Sequence, residues 1–355
     1  MTRISGRKPS RHTQPWFWPV VLLVLAACRQ PSTSSADAGS GGVSSTGAAY
    51  SSVEIRFSDP GNAGVFAYAK REGILEKELA KIGSSIVWVP AAGAFSANFE
   101  AMNSGAINAS GGAISPILGA LSHNLKFKIF AISDPGGIRQ AGILSPGPSA
   151  IRQVKDLVGK RVAVNLAAHG DYILLKALAN DGVPADKVTR VPIQPPDAAA
   201  AFATGQIDAW STFGVFYSTA VRNGAHILVS EDQIQSDDVG VLAASEAVLA
   251  KNPQAFGVLL RVSQELTELA HTQPEKFQNV VHDKGPMAVS GDELRIAIDE
   301  TRRLPSFRVP SQSDRARIGN VAKLFYDNRS IDRPLSVEQV VFDLDEASKA
   351  KVSKL

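Results

Sequence analysis

Residues 151–217 alternate short apolar strands with helices of about ten residues, and this alternation constrains the fold more than any other feature of the chain. The strand Arg161-Val162-Ala163-Val164-Asn165 leads through the loop 166–170 into a helix over 171–181 that stops at Gly182. A second strand, 188–193, passes through Gln194-Pro195-Pro196-Asp197 into an alanine-rich helix closed by Gly205, then into a strand over 206–210. Strand–helix–strand units of this kind form parallel sheets with right-handed crossovers, and such sheets gather ligands at the carboxyl ends of their strands.

The same unit occurs earlier. Val89-Pro90, a helix through Phe99 and Met102, and Gly105-Ala106-Ile107-Asn108-Ala109-Ser110 echo Val191-Pro192, a helix through Phe202, and Gly205-Gln206-Ile207-Asp208-Ala209-Trp210. The interval of about a hundred residues is too long for a solenoid repeat and suits two similar lobes.

The amino terminus carries Arg3, Arg7, Lys8 and Arg11 without an acid, followed by the apolar run 16–27, interrupted only at Pro19. Such a run is far short of the ~20 residues a spanning helix needs, so residues 1–27 read as a signal peptide. It ends in Leu25-Ala26-Ala27-Cys28, which resembles the lipobox of bacterial lipoproteins, and Cys28 is the only cysteine in the chain. The resemblance implies lipidation at Cys28 and a protein anchored to the cell envelope, in the periplasm or at the outer face of the cytoplasmic membrane. Residues 28–52, rich in Ser, Ala and Gly, cannot bury a core and read as a flexible tether.

Removing the leader corrects the charge. Four basic and no acidic residues lie in 1–27, so 33 basic residues face 34 acidic ones in the remainder. The sequence pI near 8.9 is then no argument for nucleic acid as a partner. A single cysteine excludes a disulfide framework, and His123, His169, His226, His271 and His282 show no metal-ligand spacing. No metal and no cofactor is expected.

Along the mature chain, 53–58 alternates like a strand, helices follow around 65–71 and 74–81, and the loop Ser110-Gly111-Gly112 precedes a helix from about 113 to 121. Apolar strands at 140–144 and 240–243 flank the second lobe, and these two crossings make it an insertion in the first. The organisation expected is lobe one at 53–140 and 240–355 and lobe two at 141–239. From Ser245 onward the chain reads as mainly helical, including 254–270 and 337–354.

Glu72-Gly73-Ile74-Leu75-Glu76 with Val87-Trp88-Val89, Gly105-Ala106-Ile107-Asn108, Asp156-Leu157-Val158-Gly159-Lys160-Arg161-Val162-Ala163, Gly205-Gln206-Ile207-Asp208-Ala209-Trp210 and Arg333-Pro334-Leu335-Ser336-Val337-Glu338 together resemble the substrate-binding proteins of ABC importers. The group they resemble is the aliphatic-sulfonate, nitrate and taurine type, over roughly residues 53–343. The resemblance implies an α/β, two-lobed type II periplasmic-binding-protein fold, each lobe a mainly parallel sheet flanked by helices, joined by a two-strand hinge. It also implies a small-molecule solute, permease and ATPase subunits as partners, and a monomer without enzymatic chemistry.

Candidate ligand contacts follow from the strand ends. Ser110, Gly111 and Gly112, and Ala168, His169 and Gly170, lie where helix starts would aim N–H groups at an anion. Asp59 and Asn62 follow the first strand, with N-capping as their alternative role. Phe95 and Ser96 offer a wall and a hydroxyl, or simply a helix start. Trp210, Thr212 and Phe213 are placed after a strand end, where an aromatic ring would stack on the solute or join the core. Arg139 and Gln140 sit near the hinge.

Sulfonate-binding members of the family carry Lys-Gly-Ser-Asn where this chain has Leu166-Ala167-Ala168-His169, and Trp-Asp-Pro where it has Phe213-Gly214-Val215. Their Thr-Gly-Asp loop becomes Ser110-Gly111-Gly112 here. These departures leave open a small organic or inorganic anion, a sulfonate among them, or an apolar heterocycle or thiamine-pyrimidine-like solute. A lipid-tethered sensory binding protein is the alternative to a transport component. An enzyme reading finds no Gly-x-Ser-x-Gly elbow, His-Glu-x-x-His helix or phosphate-binding loop in the sequence.

Overall fold

A computed structural model describes residues 50–91, 95–134, 140–285 and 287–347. The chain runs through β1 (Glu54–Ser58), α1 (Val65–Glu72), α2 (Ile74–Ala80), β2 (Ser85–Val89), α3 (Phe99–Asn103), β3 (Ala109–Ala113), α4 (Ile114–Ser122) and β4 (Phe127–Ser133). A second series follows: β5 (Ala141–Ser145), β6 (Arg161–Val164), α5 (His169–Asn180), β7 (Thr189–Pro192), α6 (Pro195–Ala203), β8 (Ala209–Phe213), α7 (Gly214–Arg222) and β9 (His226–Ser230). The last series is β10 (Gly240–Ser245), α8 (Glu246–Lys251), α9 (Pro253–Thr272), α10 (Gly291–Thr301), β11 (Phe307–Arg308), α11 (Gln312–Asp327) and α12 (Val337–Val340).

The strands form two sheets, ordered β11-β4-β10-β3-β1-β2 and β7-β6-β8-β5-β9, each flanked by helices. The architecture is two-lobed α/β. Its sheets are mixed where mainly parallel ones were expected: β1 is parallel to β2 and β3, and β6 to β7 and β8. In contrast, β5 runs antiparallel to β8 and β9, and β10 runs antiparallel to β3 and β4. Parallel neighbours need a crossover helix on their own sheet, whereas β5 and β10 arrive from the other sheet and slot in without one.

The sequence echo is a structural repeat. Gly105 and Gly205 turn the chain at φ of 76° and 70°, a region open to glycine without penalty. Asn108 then donates its N–H to Arg56 O at 2.9 Å and accepts the Arg56 N–H on Oδ1 at 2.8 Å. Asp208 repeats this on Arg161, at 2.9 Å and with Oδ2 at 2.7 Å. Each side chain extends the ladder of the neighbouring strand, so the strand expected from Gln206 begins only at Ala209, and β3 begins at the equivalent Ala109.

The shift moves several residues. Ser110, Gly111 and Gly112 are strand, not loop, and the two glycines pair with Leu242 and Val241. Their backbone is extended, and the missing side chains permit close packing: a Cβ at Gly112 would lie 3.1 Å from the Phe95 ring. Likewise Trp210, Thr212 and Phe213 lie within β8 and not after it.

The two lobes share a seam. All nine residues of α4 are buried, as an all-round apolar helix requires. Its Ile114 and Ile117, Ile173 and Leu174 of α5, and Ile318, Val321 and Phe325 of α11 belong to one buried cluster that takes in both sheets. Ser311 and Asp314 form a capping box at the start of α11. Arg190 of β7 bonds Asp171 at 3.0 Å, Ser330 Oγ at 2.7 Å and the Asn328 carbonyl, tying the second lobe to the segment after α11. The helix expected over 337–354 stops at Val340, because Val341 leaves to bridge Ile129 and Phe342 donates to Ile129 O at 2.8 Å. Residues 348–354 lie outside the described residues.

The seam is tightest at Gly119, where an added Cβ would sit 2.2 Å from Ala167 O. Gly119→Ala is expected to lower stability by about 1–3 kcal/mol, because overpacking forces α4 away from the turn before α5. Urea denaturation measures it, and an unchanged midpoint would mean that the seam spreads freely.

Candidate functional site

The ends of β3 and β6 deliver α4 and α5 to a common point, occupied by a carboxylate from the chain itself. Asp238, on the segment returning from the second sheet to the first, is buried. Its Oδ1 accepts the Ser115 N–H at 2.8 Å, and its Oδ2 accepts the Ser115 hydroxyl. Ile114 donates its N–H to Val239 O at 3.2 Å, and Pro116 has no N–H to give. The first turn of α4 is thereby satisfied from within, and the partial positive charge of the helix start faces Asp238.

His169, the first residue of α5, completes the cluster. Its Nδ1 lies 2.7 Å from Asp238 Oδ2, and its Nε2 lies 3.1 Å from Oε2 of the buried Glu231. Burial would lower the pKa of the imidazole, but the Glu231 charge and the hydrogen bonds to Asp238 and Glu231 override it and push the value up to about 10. At neutral pH the ring is an imidazolium shared by two carboxylates. The sequence marked His169 as a donor for an acidic ligand; both of its nitrogens are engaged internally.

The start of α5 is satisfied in the same way. Gly170 donates its N–H to Asn165 Oδ1 at 2.8 Å, and a Cβ there would lie 2.5 Å from both Asn165 Oδ1 and Ser211 O. Ala168, at the N-cap position, is buried and donates to Asn165 O at 3.2 Å. Asp171, fully buried in the first turn, accepts the Ala167 N–H at 3.0 Å.

Other candidates divide between scaffold and cleft. Asn62 holds a distant loop, donating to His282 O and Met287 O at 2.9 and 2.7 Å and accepting the N–H groups of Val281 and His282 at 2.8 Å. Asp59 accepts the Gly61 N–H at 2.9 Å and pairs with Lys70 at 2.5 Å. Burial would raise its pKa, but these bonds hold it below the usual carboxylate range. Ser110 shares a 2.7 Å hydrogen bond with Ser58. Trp210 is core, against Phe202 and Phe216 at 5.7 and 6.2 Å. Gln140 donates to Glu300 at 3.2 Å, and its carbonyl accepts the Gly214 N–H at 2.6 Å. Arg139 and Cys28 lie outside the described residues.

Four candidates keep features suited to a solute. Phe95 packs edge-on to Phe99 at 5.9 Å, with the half-buried Ser96 beside it. Phe213, half-buried at the end of β8, stands edge-on to His169 at 5.2 Å. Thr212 is buried, and its Oγ1 has no hydrogen-bond partner. Asp238, Glu231 and Ser115 escaped the sequence reading; the only signal was the acidic pair Asp237-Asp238 directly before an apolar strand.

A His169→Ala substitution removes the cation from between two buried carboxylates, so a loss of about 3–5 kcal/mol at pH 7 is expected. The folded pKa is raised from 6.5 to about 10, so the stabilisation is complete below pH 6.5, declines above it and is gone once pH passes 10. Denaturant titrations across that window should show the wild type losing stability and the variant staying flat; parallel curves would remove His169 from the balance.

Residues 138–277 match the family model described as NMT1/THI5 like. A protein of Escherichia coli K12 named for binding aliphatic sulfonates is 29% identical over 281 residues, covering 77% of this chain and 84% of the relative. The crystal structure of the periplasmic aliphatic sulphonate binding protein SsuA from Escherichia coli superposes with a TM-score of 0.68 at 23% identity, over 82% of this chain and 92% of that one. The desulfurization enzyme DszB shares the fold at a TM-score of 0.56 and 14% identity, over 85% of this chain and 99% of that one.

Proposed function

We infer that this chain is a solute-binding protein of the NMT1/THI5-like family, the component of an ABC-type importer that captures a small solute between two lobes and hands it to a permease. The observation that supports this reading is the meeting of α4 and α5 at Asp238, which brings the ends of β3 and β6, one from each sheet, to a common point. A solute touching both lobes stabilises the closed form by its differential affinity for that form, and the permease reads closure. Capture is reversible and involves no covalent step.

The solute we propose is a small organic anion, with aliphatic sulfonates as the first class to test. Because the start of α4 and both nitrogens of His169 are satisfied internally, we place its charge beside the unpartnered Thr212 hydroxyl at the end of β8, with Phe213 against its organic part. The same saturation of two helix starts favours, as a second reading, a less charged heterocycle held between Phe95 and Phe213.

Calorimetric titration separates the two. Ethanesulfonate or taurine binding in the micromolar range or tighter supports the anion, and a pyrimidine that binds while sulfonates do not supports the heterocycle. Thr212→Val should leave the ligand-free protein as stable or more stable, since it removes a buried hydroxyl without a partner, while weakening anion binding roughly 10-fold or more. Equal affinity in the variant places the charge elsewhere.

Export across the cytoplasmic membrane and lipidation of Cys28 complete the proposal, with the tether holding a monomeric receptor near its permease. Cys28→Ser is expected to move the protein from the membrane fraction to the soluble fraction of the cell envelope. A membrane-bound variant rules out the anchor.

A further inference from the structure

Helix α10 lies shallowly on the fold, away from the seam. Only Thr301 of its eleven residues is buried, and Leu294, Ile296, Ala297 and Ile298 belong to none of the three buried apolar clusters. Polar contacts hold it instead. On the first lobe, Gln278 Nε2 bonds Thr301 Oγ1 at 2.7 Å and Ala297 O at 3.4 Å. The chain entering the helix is pinned by Asn279, which donates to Val289 O and accepts the Val289 N–H, both at 2.9 Å.

The opposite side reaches the second lobe. Glu293 pairs with Arg222 at the end of α7, both side chains about half exposed. Glu300 accepts from Gln140, at the crossing between the lobes, at 3.2 Å. Seven residues separate the two acids, which places them on one face of the helix. Helix α10 thus spans from Gln278 of the first lobe to Gln140 at the crossing and Arg222 of the second lobe, and its apolar residues join none of the buried clusters.

We propose that α10 is a strap across the lobes, and that the Glu293–Arg222 pair is the clasp that sets how much of the ligand-free protein is closed. A helix held by side-chain hydrogen bonds can travel with either lobe at little cost, whereas one sunk in a core cannot. The clasp is exposed and weak, so it biases the equilibrium without locking it. The inference rests on the two-lobed receptor reading, but its test needs no solute.

Spin labels at Lys155→Cys on the second lobe and Lys251→Cys on the first, in full chain carrying Cys28→Ser, report the interlobe distance by pulsed electron resonance. Arg222→Glu and Glu293→Arg are each expected to lower the short-distance population roughly two- to five-fold, the range of an exposed pair. The double exchange Arg222→Glu with Glu293→Arg should restore it. Identical distributions in all four proteins overturn the clasp, as does a double exchange that stays open. Failure of every solute to bind would count against the receptor reading and leave these distances as they are.

Discussion

The carboxylate of Asp238 holds the two lobes to a common geometry. It lies on the strand-entry segment that carries the chain from the second sheet back to the first, and it bonds the start of α4 on one side and His169 on the other. A buried charge of this kind persists only where its desolvation is offset by partners, and here a helix start, a hydroxyl and an imidazolium all supply them. Removing any one leaves the others facing a buried ion. The spacing between α4 and α5 is therefore fixed by charge as well as by the packing of Gly119 on Ala167.

That fixed point changes what the helix starts can do. Helix amino termini attract anions through unpaired N–H groups, and the sequence made Gly111, Gly112 and His169 candidates on that ground. The structure supplies acceptors from the chain: the Asp238 carboxylate for α4, and the Asn165 amide oxygen for Gly170 of α5. The site we propose for the charge therefore lies at the end of β8, the strand that corresponds to β3 in the repeat. There the chain offers a buried hydroxyl without a partner and a phenylalanine edge.

The repeat itself was legible because Gly-x-Ile followed by Asn or Asp carries its mechanism in its letters: a glycine turn, a buried isoleucine and a side chain that extends a strand. The sequence did not place the strand starts, since Asn108 and Asp208 read as strand residues until their side-chain bonds to Arg56 and Arg161 are seen. Gly111 and Gly112 read as a turn for the opposite reason: close approach of Phe95 and extended φ leave no mark in a single sequence. The cluster around His169 was invisible because Ser115, Glu231 and Asp238 are scattered along the chain and converge only through the crossing. Asn62 after the first strand and Gln140 near the hinge are candidate contacts in the sequence, yet their amides serve the segments around His282 and Glu300, pairings more than 150 residues long that no local pattern encodes.

A receptor that closes on its solute needs one place that does not move and another that moves cheaply. The pivot side has a shared apolar cluster, the Asp238 network and the Arg190–Asp171–Ser330 tie, contacts whose loss would cost several kcal/mol each. The α10 side has exposed or half-exposed polar pairs of about 0–1 kcal/mol. Hinge motion needs this asymmetry, because equal stiffness on both sides would either freeze the cleft or let the lobes drift apart. With the strong contacts gathered where α4, α5 and α11 meet, the contacts of α10 are the ones that the free energy of a bridging solute, as proposed above, would suffice to shift.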